Sequence, residues 1–140
     1  MTDIAELASE LRLSVHRLTR RLRQERPADG LTLTQLSALA TVWRDGPLTA
    51  GDLAIREGVK PPSVTRVLIA LEEAGLVERS GHPDDARQVL VSLTAQGRET
   101  IEADARARDA WLAQQLAGLT ARERSVLERA AVLLEKLAST

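Results

Sequence analysis

Pro61-Pro-Ser-Val-Thr-Arg-Val-Leu-Ile-Ala-Leu-Glu-Glu-Ala-Gly75 runs directly into Leu76-Val-Glu-Arg-Ser80, and the change of period at the glycine decides the fold. Before Gly75, Val64, Val67, Leu68 and Leu71 fall on one helical stripe, while Pro62, Arg66, Ile69 and Glu73 project from the opposite side. A proline is tolerated in a first helical turn, where its missing N–H would have had no partner, so this helix begins at Pro61 or Pro62. After Gly75 the pattern alternates. Leu76-Val-Glu-Arg-Ser80 and Gln88-Val-Leu-Val-Ser-Leu93 read as two strands around the polar loop Gly81-His-Pro-Asp-Asp-Ala-Arg87, a hairpin with a protruding tip.

Upstream, Thr49-Ala-Gly-Asp52 is a helix start and Gly58 closes that helix after about two turns. Thr32-Leu-Thr-Gln35 has the capping-box pattern and opens a helix to about Arg44, stopped by Gly46-Pro47. Residues 3–26 carry Ile4, Leu7, Leu11, Val15, Leu18 and Leu22 at steps of three and four, an amphipathic helix that Pro27 and Gly30 end. Downstream, Thr94 is placed to cap a long helix to about Leu116, and Thr120-Ala-Arg-Glu123 starts a last helix to about Leu137. The expectation is a mainly α protein with a small β-hairpin wing: four helices, a hairpin, two helices. Residues 32–93 would form a winged helix-turn-helix lobe, and residues 1–30 and 94–140 a helical dimerisation region, within one domain of residues 1–140. The last helix carries Val126, Leu127, Ala130, Ala131, Val132, Leu133, Leu134 and Leu137, a band wider than one neighbouring helix covers. Either it folds back onto the first and fifth helices of its own chain or, as is expected here, a second subunit buries it, with Leu7, Leu11, Leu116, Val126, Leu127, Leu133, Leu134 and Leu137 as the dimerisation residues.

Composition removes many alternatives. The 140 residues include no Cys, which excludes disulfide scaffolds, thiolate metal sites and cysteine redox switches, and only His16 and His82 offer imidazole. With no Phe or Tyr and only Trp43 and Trp111, the chain lacks the stacking platforms of single-strand and RRM-type binders. Lys and Arg number 19 against 20 Asp and Glu, a formal charge of −1, so any attraction for nucleic acid must be local. There is no Gly-rich phosphate loop, no His-x-x-x-His pair and no Ser or Lys beside an activating His; neither enzymatic activity, a metal nor a cofactor is expected. No apolar run approaches the roughly 18 residues of a membrane span, and a cytoplasmic location is expected.

The helix starting at the prolines can enter a major groove by its first turns. Lys60, Pro62, Ser63, Thr65 and Arg66 are small or donor-bearing there, and the helix start would add partial positive charge for phosphates. Arg66 can fork onto guanine, Ser63 and Thr65 can bond phosphate or base edges, and Ile69 can touch a thymine methyl. Around the hairpin, Arg79, Arg87 and His82 are nearly cancelled by Glu78, Asp84 and Asp85, yet Arg79, Asp85 and Arg87 are the wing's candidate DNA-binding residues. Asp85, two residues from Arg87, could instead orient that guanidinium for a narrow minor groove. A winged-helix protein-interaction module that never touches DNA fits the same elements and the near-neutral charge.

Leu33-Thr-Gln-Leu36 with Leu39, Leu53-Ala54, Pro62-Ser-Val-Thr-Arg66, Leu71-Glu-Glu-Ala-Gly-Leu-Val-Glu-Arg79, Asp85-Ala-Arg87 and Ser92-Leu-Thr-Ala-Gln-Gly-Arg98 together resemble the MarR family of bacterial transcriptional regulators. The resemblance implies a homodimeric winged-helix protein on a pseudo-palindromic duplex, often a repressor released by a small phenolic or aromatic acid. It further implies that Pro62, Ser63, Thr65 and Arg66 meet the major groove, and that Arg87, oriented by Asp85, enters the minor groove. Ala86 stands where many members carry a second wing arginine. The family's cysteine-based oxidation sensing is excluded here. For a ligand lodged where the dimerisation helices meet the DNA-binding lobe, His16, Arg20 and Trp43 are the candidate contacts.

Overall fold

The computed structural model describes residues 1–25 and 30–140, so the expected helix stop at Pro27 lies outside the described residues. The elements are α1 (Ile4–Arg23), α2 (Leu33–Asp45), β1 (Leu48–Thr49), α3 (Ala50–Glu57), α4 (Pro61–Glu73), β2 (Val77–Gly81), β3 (Val89–Leu93), α5 (Ala95–Ala117) and α6 (Ala121–Ala138). This is the expected helical order with one correction. The wing is not a bare hairpin but a three-stranded antiparallel sheet, ordered β1-β3-β2, with Leu48 opposite Val91 and Arg79 opposite Val91 on the other side. A two-residue strand is too short to show alternation, and β1 exists because β3 offers it an edge.

The chain forms two compact units, Pro27–Ala105 and Met1–Arg26 with Arg106–Thr140. In the first, α2, α3 and α4 pack against one another, and Leu39, Leu53, Leu68, Leu71 and Val91 are the most completely buried apolar side chains of the core. The helix starts are those the sequence indicates. Thr32 and Gln35 complete a reciprocal capping box at 3.1 and 3.0 Å, and the Thr49 hydroxyl accepts the Asp52 N–H at 3.1 Å. Between α3 and α4 the chain turns at Gly58, whose φ of 65° is in the left-handed region that glycine enters without a Cβ clash.

Thr94 joins the end of α4 to the start of α5. Its hydroxyl donates to the Gly75 carbonyl at 2.6 Å and accepts the Gly97 N–H at 3.0 Å, while its own N–H donates to the Leu76 carbonyl at 3.1 Å. Gly97 lies against that carbonyl so closely that a Cβ would overlap the Leu76 oxygen.

In the second unit neither α1 nor α6 has a buried residue. The Arg21 guanidinium stacks 4.5 Å from the centre of the Trp111 ring and bonds Glu25 at 2.6 Å. Arg124 donates to the Leu116 and Leu119 carbonyls at 3.2 and 2.5 Å, satisfying the end of α5. At the start of α6, hydrogen bonds from the Thr120 backbone and then its side chain hold the Glu123 carboxyl below the usual carboxylate range. Among the described residues no helix is long and apolar enough to cross a membrane.

Gly58→Ala and Gly97→Ala separate two uses of glycine. At Gly58 a Cβ meets nothing within 4 Å, so only the backbone conformation opposes it, at about 1 kcal/mol. At Gly97 the new methyl meets fixed backbone, and urea unfolding should show a loss of about 2–4 kcal/mol.

Candidate nucleic-acid interface

Burial of Val64, Leu68 and Leu71 turns the other flank of α4 outward. Lys60 is the N-cap residue, Pro61 and Pro62 open the helix, and Pro62, Ser63, Thr65, Arg66 and Ile69 are all exposed, Ile69 by 45%. Among the described residues neither Lys60 nor Arg66 is in an ion pair, so both cations are free to meet a polyanion. The Thr65 hydroxyl donates to the Pro61 carbonyl at 3.1 Å, which leaves its lone pairs as its outward-facing function.

One electrostatic expectation is corrected. The start of α4 does not present a cluster of amide donors to phosphate: Pro61 and Pro62 have no N–H, and the Ser63 and Val64 amides donate to the Lys60 carbonyl at 3.0 and 3.4 Å. The prolines exchange a phosphate cradle for a stiff, narrow helix start. Attraction there falls to the side chains of Lys60 and Arg66.

In the wing, the backbone N–H of Arg87 donates to Asp85 Oδ1 at 3.0 Å and its Nε to the same oxygen at 3.3 Å. The side chain is nonetheless 92% exposed, so the carboxylate holds one edge of the guanidinium and leaves the other to solvent. His82 Nδ1 accepts the Asp84 N–H at 3.0 Å, and the Gln88 N–H donates to the Asp85 carbonyl at 3.0 Å, which shapes the tip. Arg79 is placed differently: it is in an ion pair with Glu72, Nε 2.6 Å from Oε2.

A family model described as MarR family matches residues 31–89, the lobe that carries α2 to the start of β3. An uncharacterised HTH-type transcriptional regulator of Mycobacterium bovis is 51% identical over 130 residues, 93% of this chain and 91% of its own length. The HTH-type transcriptional repressor MdtR of Bacillus subtilis is 32% identical over 142 residues, 99% of this chain and 90% of its own. The crystal structure of a putative transcriptional regulator from Pseudomonas aeruginosa superposes with a TM-score of 0.86 at 35% identity, covering 97% of this chain and 96% of that one. The chain belongs to the MarR family. It is a transcriptional regulator with a helix-turn-helix DNA-binding fold, and MarR-family proteins are DNA-binding regulators rather than enzymes.

Other residues singled out in the MarR-family chain are dispersed. Leu7, Leu11, Val126, Leu127, Leu133, Leu134 and Leu137 are exposed on α1 and α6, Leu137 by 61%, and Leu116 is half-buried. His16 lines a groove of about 560 Å³ with Ala8, Leu11, Arg12, Val15 and Thr19 of α1 and Leu134 of α6. Arg20, exposed on α1, does not line that groove, nor does Trp43, which belongs to α2 in the other unit and is 40% exposed. Sequence reading placed Glu72 on the far half of the helix, away from the groove end, and missed its pairing with Arg79. Its only signal was a carboxylate in the last turn before Gly75 and an Arg alternating out of the following strand.

Asp85→Ala removes both bonds that order the wing arginine. In a fluorescence-anisotropy titration it should weaken duplex binding about threefold to tenfold, and adding Arg87→Ala should weaken it little further.

Proposed function

We propose that the protein is a homodimeric, sequence-specific repressor that seats two copies of α4 in successive major grooves of a pseudo-palindromic duplex, about 34 Å apart. The observation that carries the reading is the exposed row Pro62, Arg66 and Ile69 on a helix whose opposite stripe is sealed in the core. A rigid helix of this kind holds Arg66 at a fixed depth, where its fork reads guanine and Ile69 meets a thymine methyl. Lys60 and Ser63 contact phosphate, and Thr65 accepts from a base edge. Arg87, held by Asp85, enters the adjacent minor groove. Residues 32–93 act as the DNA-binding lobe, and residues 1–30 and 94–140 as the dimerisation region.

Pairing is supported by α1 and α6, which bury nothing within the chain while exposing leucines and valines along their length. Repression is supported by the similarity to MdtR, whose name describes it as a repressor. Release by a small aromatic acid is supported by the groove beside His16, which Arg12 also lines and whose Leu11 and Leu134 belong to the proposed pairing surface, so that a ring and a carboxylate bound there would bear on the pairing itself. Of the ligand contacts expected from sequence, His16 is retained in this reading, with Arg20 and Trp43 outside the groove.

Selection of bound duplexes from a random pool should return an inverted repeat; recovery of no sequence, or of a single unrepeated site, overturns the reading. Arg66→Ala should then cost about 1–3 kcal/mol and relax preference at one base pair in each half-site. Ala86→Arg supplies a second wing cation to this chain and should steepen the log–log salt dependence by about 0.9 per wing.

A further inference from the structure

Glu72 and Arg79 take no part in the groove contacts proposed above, yet they form an ion pair, with Nε and Oε2 2.6 Å apart. Glu72 lies in the last turn of α4, and Arg79 is the third residue of β2, after the chain has reversed at Gly75. Among the described residues this is the one side-chain hydrogen bond or ion pair joining α4 to β2. Burial cannot do the same work further out. Val77 is buried, but Glu78, Arg79, Ser80 and Gly81 are all exposed, so beyond its first residue β2 is held, among the described residues, by its ladder with β3 and by this ion pair.

We infer that the Glu72–Arg79 pair is a brace between the recognition helix and the wing, so that Arg79 serves DNA binding by positioning Arg87 and not as a phosphate cation. The inference rests on the DNA-binding reading above. Side chains of Glu72 and Arg79 are 47% and 39% exposed, and an ion pair that open to water contributes little to global stability. Its effect is geometric. Arg66 and Arg87 sit on different elements, and both reach the duplex together only if the angle between α4 and the sheet is set beforehand. A brace at the base of the wing removes that freedom before binding.

The two substitutions change charge in opposite directions, which makes the inference testable. Glu72→Gln adds one unit of positive charge and Arg79→Gln removes one. If Arg79 were a phosphate contact restrained by Glu72, the first would tighten binding and the second would weaken it. A brace requires both to weaken it. The test is a salt titration of the full-length protein, its two single variants and the double variant, on a duplex selected by the wild type. Each single variant should bind about threefold to tenfold more weakly, with the double variant no weaker than either. The salt slope should change alike in the two single variants, and the loss should vanish in an Arg87→Ala background. The exchanged pair Glu72→Arg with Arg79→Glu should recover binding to within about twofold, which also guards against a variant that merely folds poorly. Tighter binding by Glu72→Gln, a salt slope lowered by about 0.9 per lobe in Arg79→Gln but not in Glu72→Gln, or no effect of either substitution overturns the brace. Failure of the wild type to bind any duplex would instead overturn the DNA-binding reading itself.

Discussion

Leu68 and Leu71 of α4 retain almost no contact with solvent, and the rest of the lobe follows from that burial. Each leucine side chain withdrawn from water contributes about 1.5–3 kcal/mol, far more than any exposed ion pair in the molecule. That energy fixes the rotation of α4 about its own axis. Once Val64, Leu68 and Leu71 face α2 and α3, Pro62, Arg66 and Ile69 must face outward. The reading surface is therefore a by-product of the core, held by apolar contacts that salt does not weaken. The clamp of Thr94 on Gly75 and Leu76 carries the same rigidity into the start of α5.

Electrostatics then select among the cations that the core leaves exposed. The chain is nearly neutral, so no long-range field draws it to a polyanion. Arg56 is paired with Asp45 at 3.3 Å and Arg79 with Glu72, whereas Lys60 and Arg66 are unpaired among the described residues. Charge is thus paired off on α3 and β2 and left unpaired at the start of α4. Arg87 is an intermediate case, since Asp85 neutralises it in part while fixing its direction.

Much of this could be read from the residues alone. The period of Val64, Leu68 and Leu71, the threonine-led helix starts and the switch at Gly75 each record a local rule, and the folded chain obeys all of them. The bond between Asp85 and Arg87 was legible because two residues in one short loop can hardly avoid each other. What was not legible depends on tertiary proximity. The strand Leu48–Thr49 has no internal pattern, and only the exposed edge of β3 makes it a strand. The partnership of Glu72 with Arg79 needs a turn angle that no spacing rule supplies. The capacity of the α4 start to bind phosphate was overstated for another reason: a helix N-terminus was treated as generic, although Pro61 and Pro62 delete the donors on which the generic effect rests.

The two compact units also differ in how their apolar residues are used, and the difference bears on affinity. One unit seals its leucines inside, while α1 and α6 leave theirs exposed, as surfaces awaiting a partner of like chemistry do. A single lobe with two unpaired cations on its reading helix and one arginine at its wing can make only a few phosphate contacts, and its half-site affinity is correspondingly modest. Linking two such lobes through α1 and α6 makes the second engagement intramolecular, with an effective concentration set by the dimer's geometry. In the proposed dimer, affinity therefore comes from paired geometry more than from accumulated charge. On that reading a chain with a formal charge of −1 would hold a duplex through the pairing of its lobes and not through a basic field.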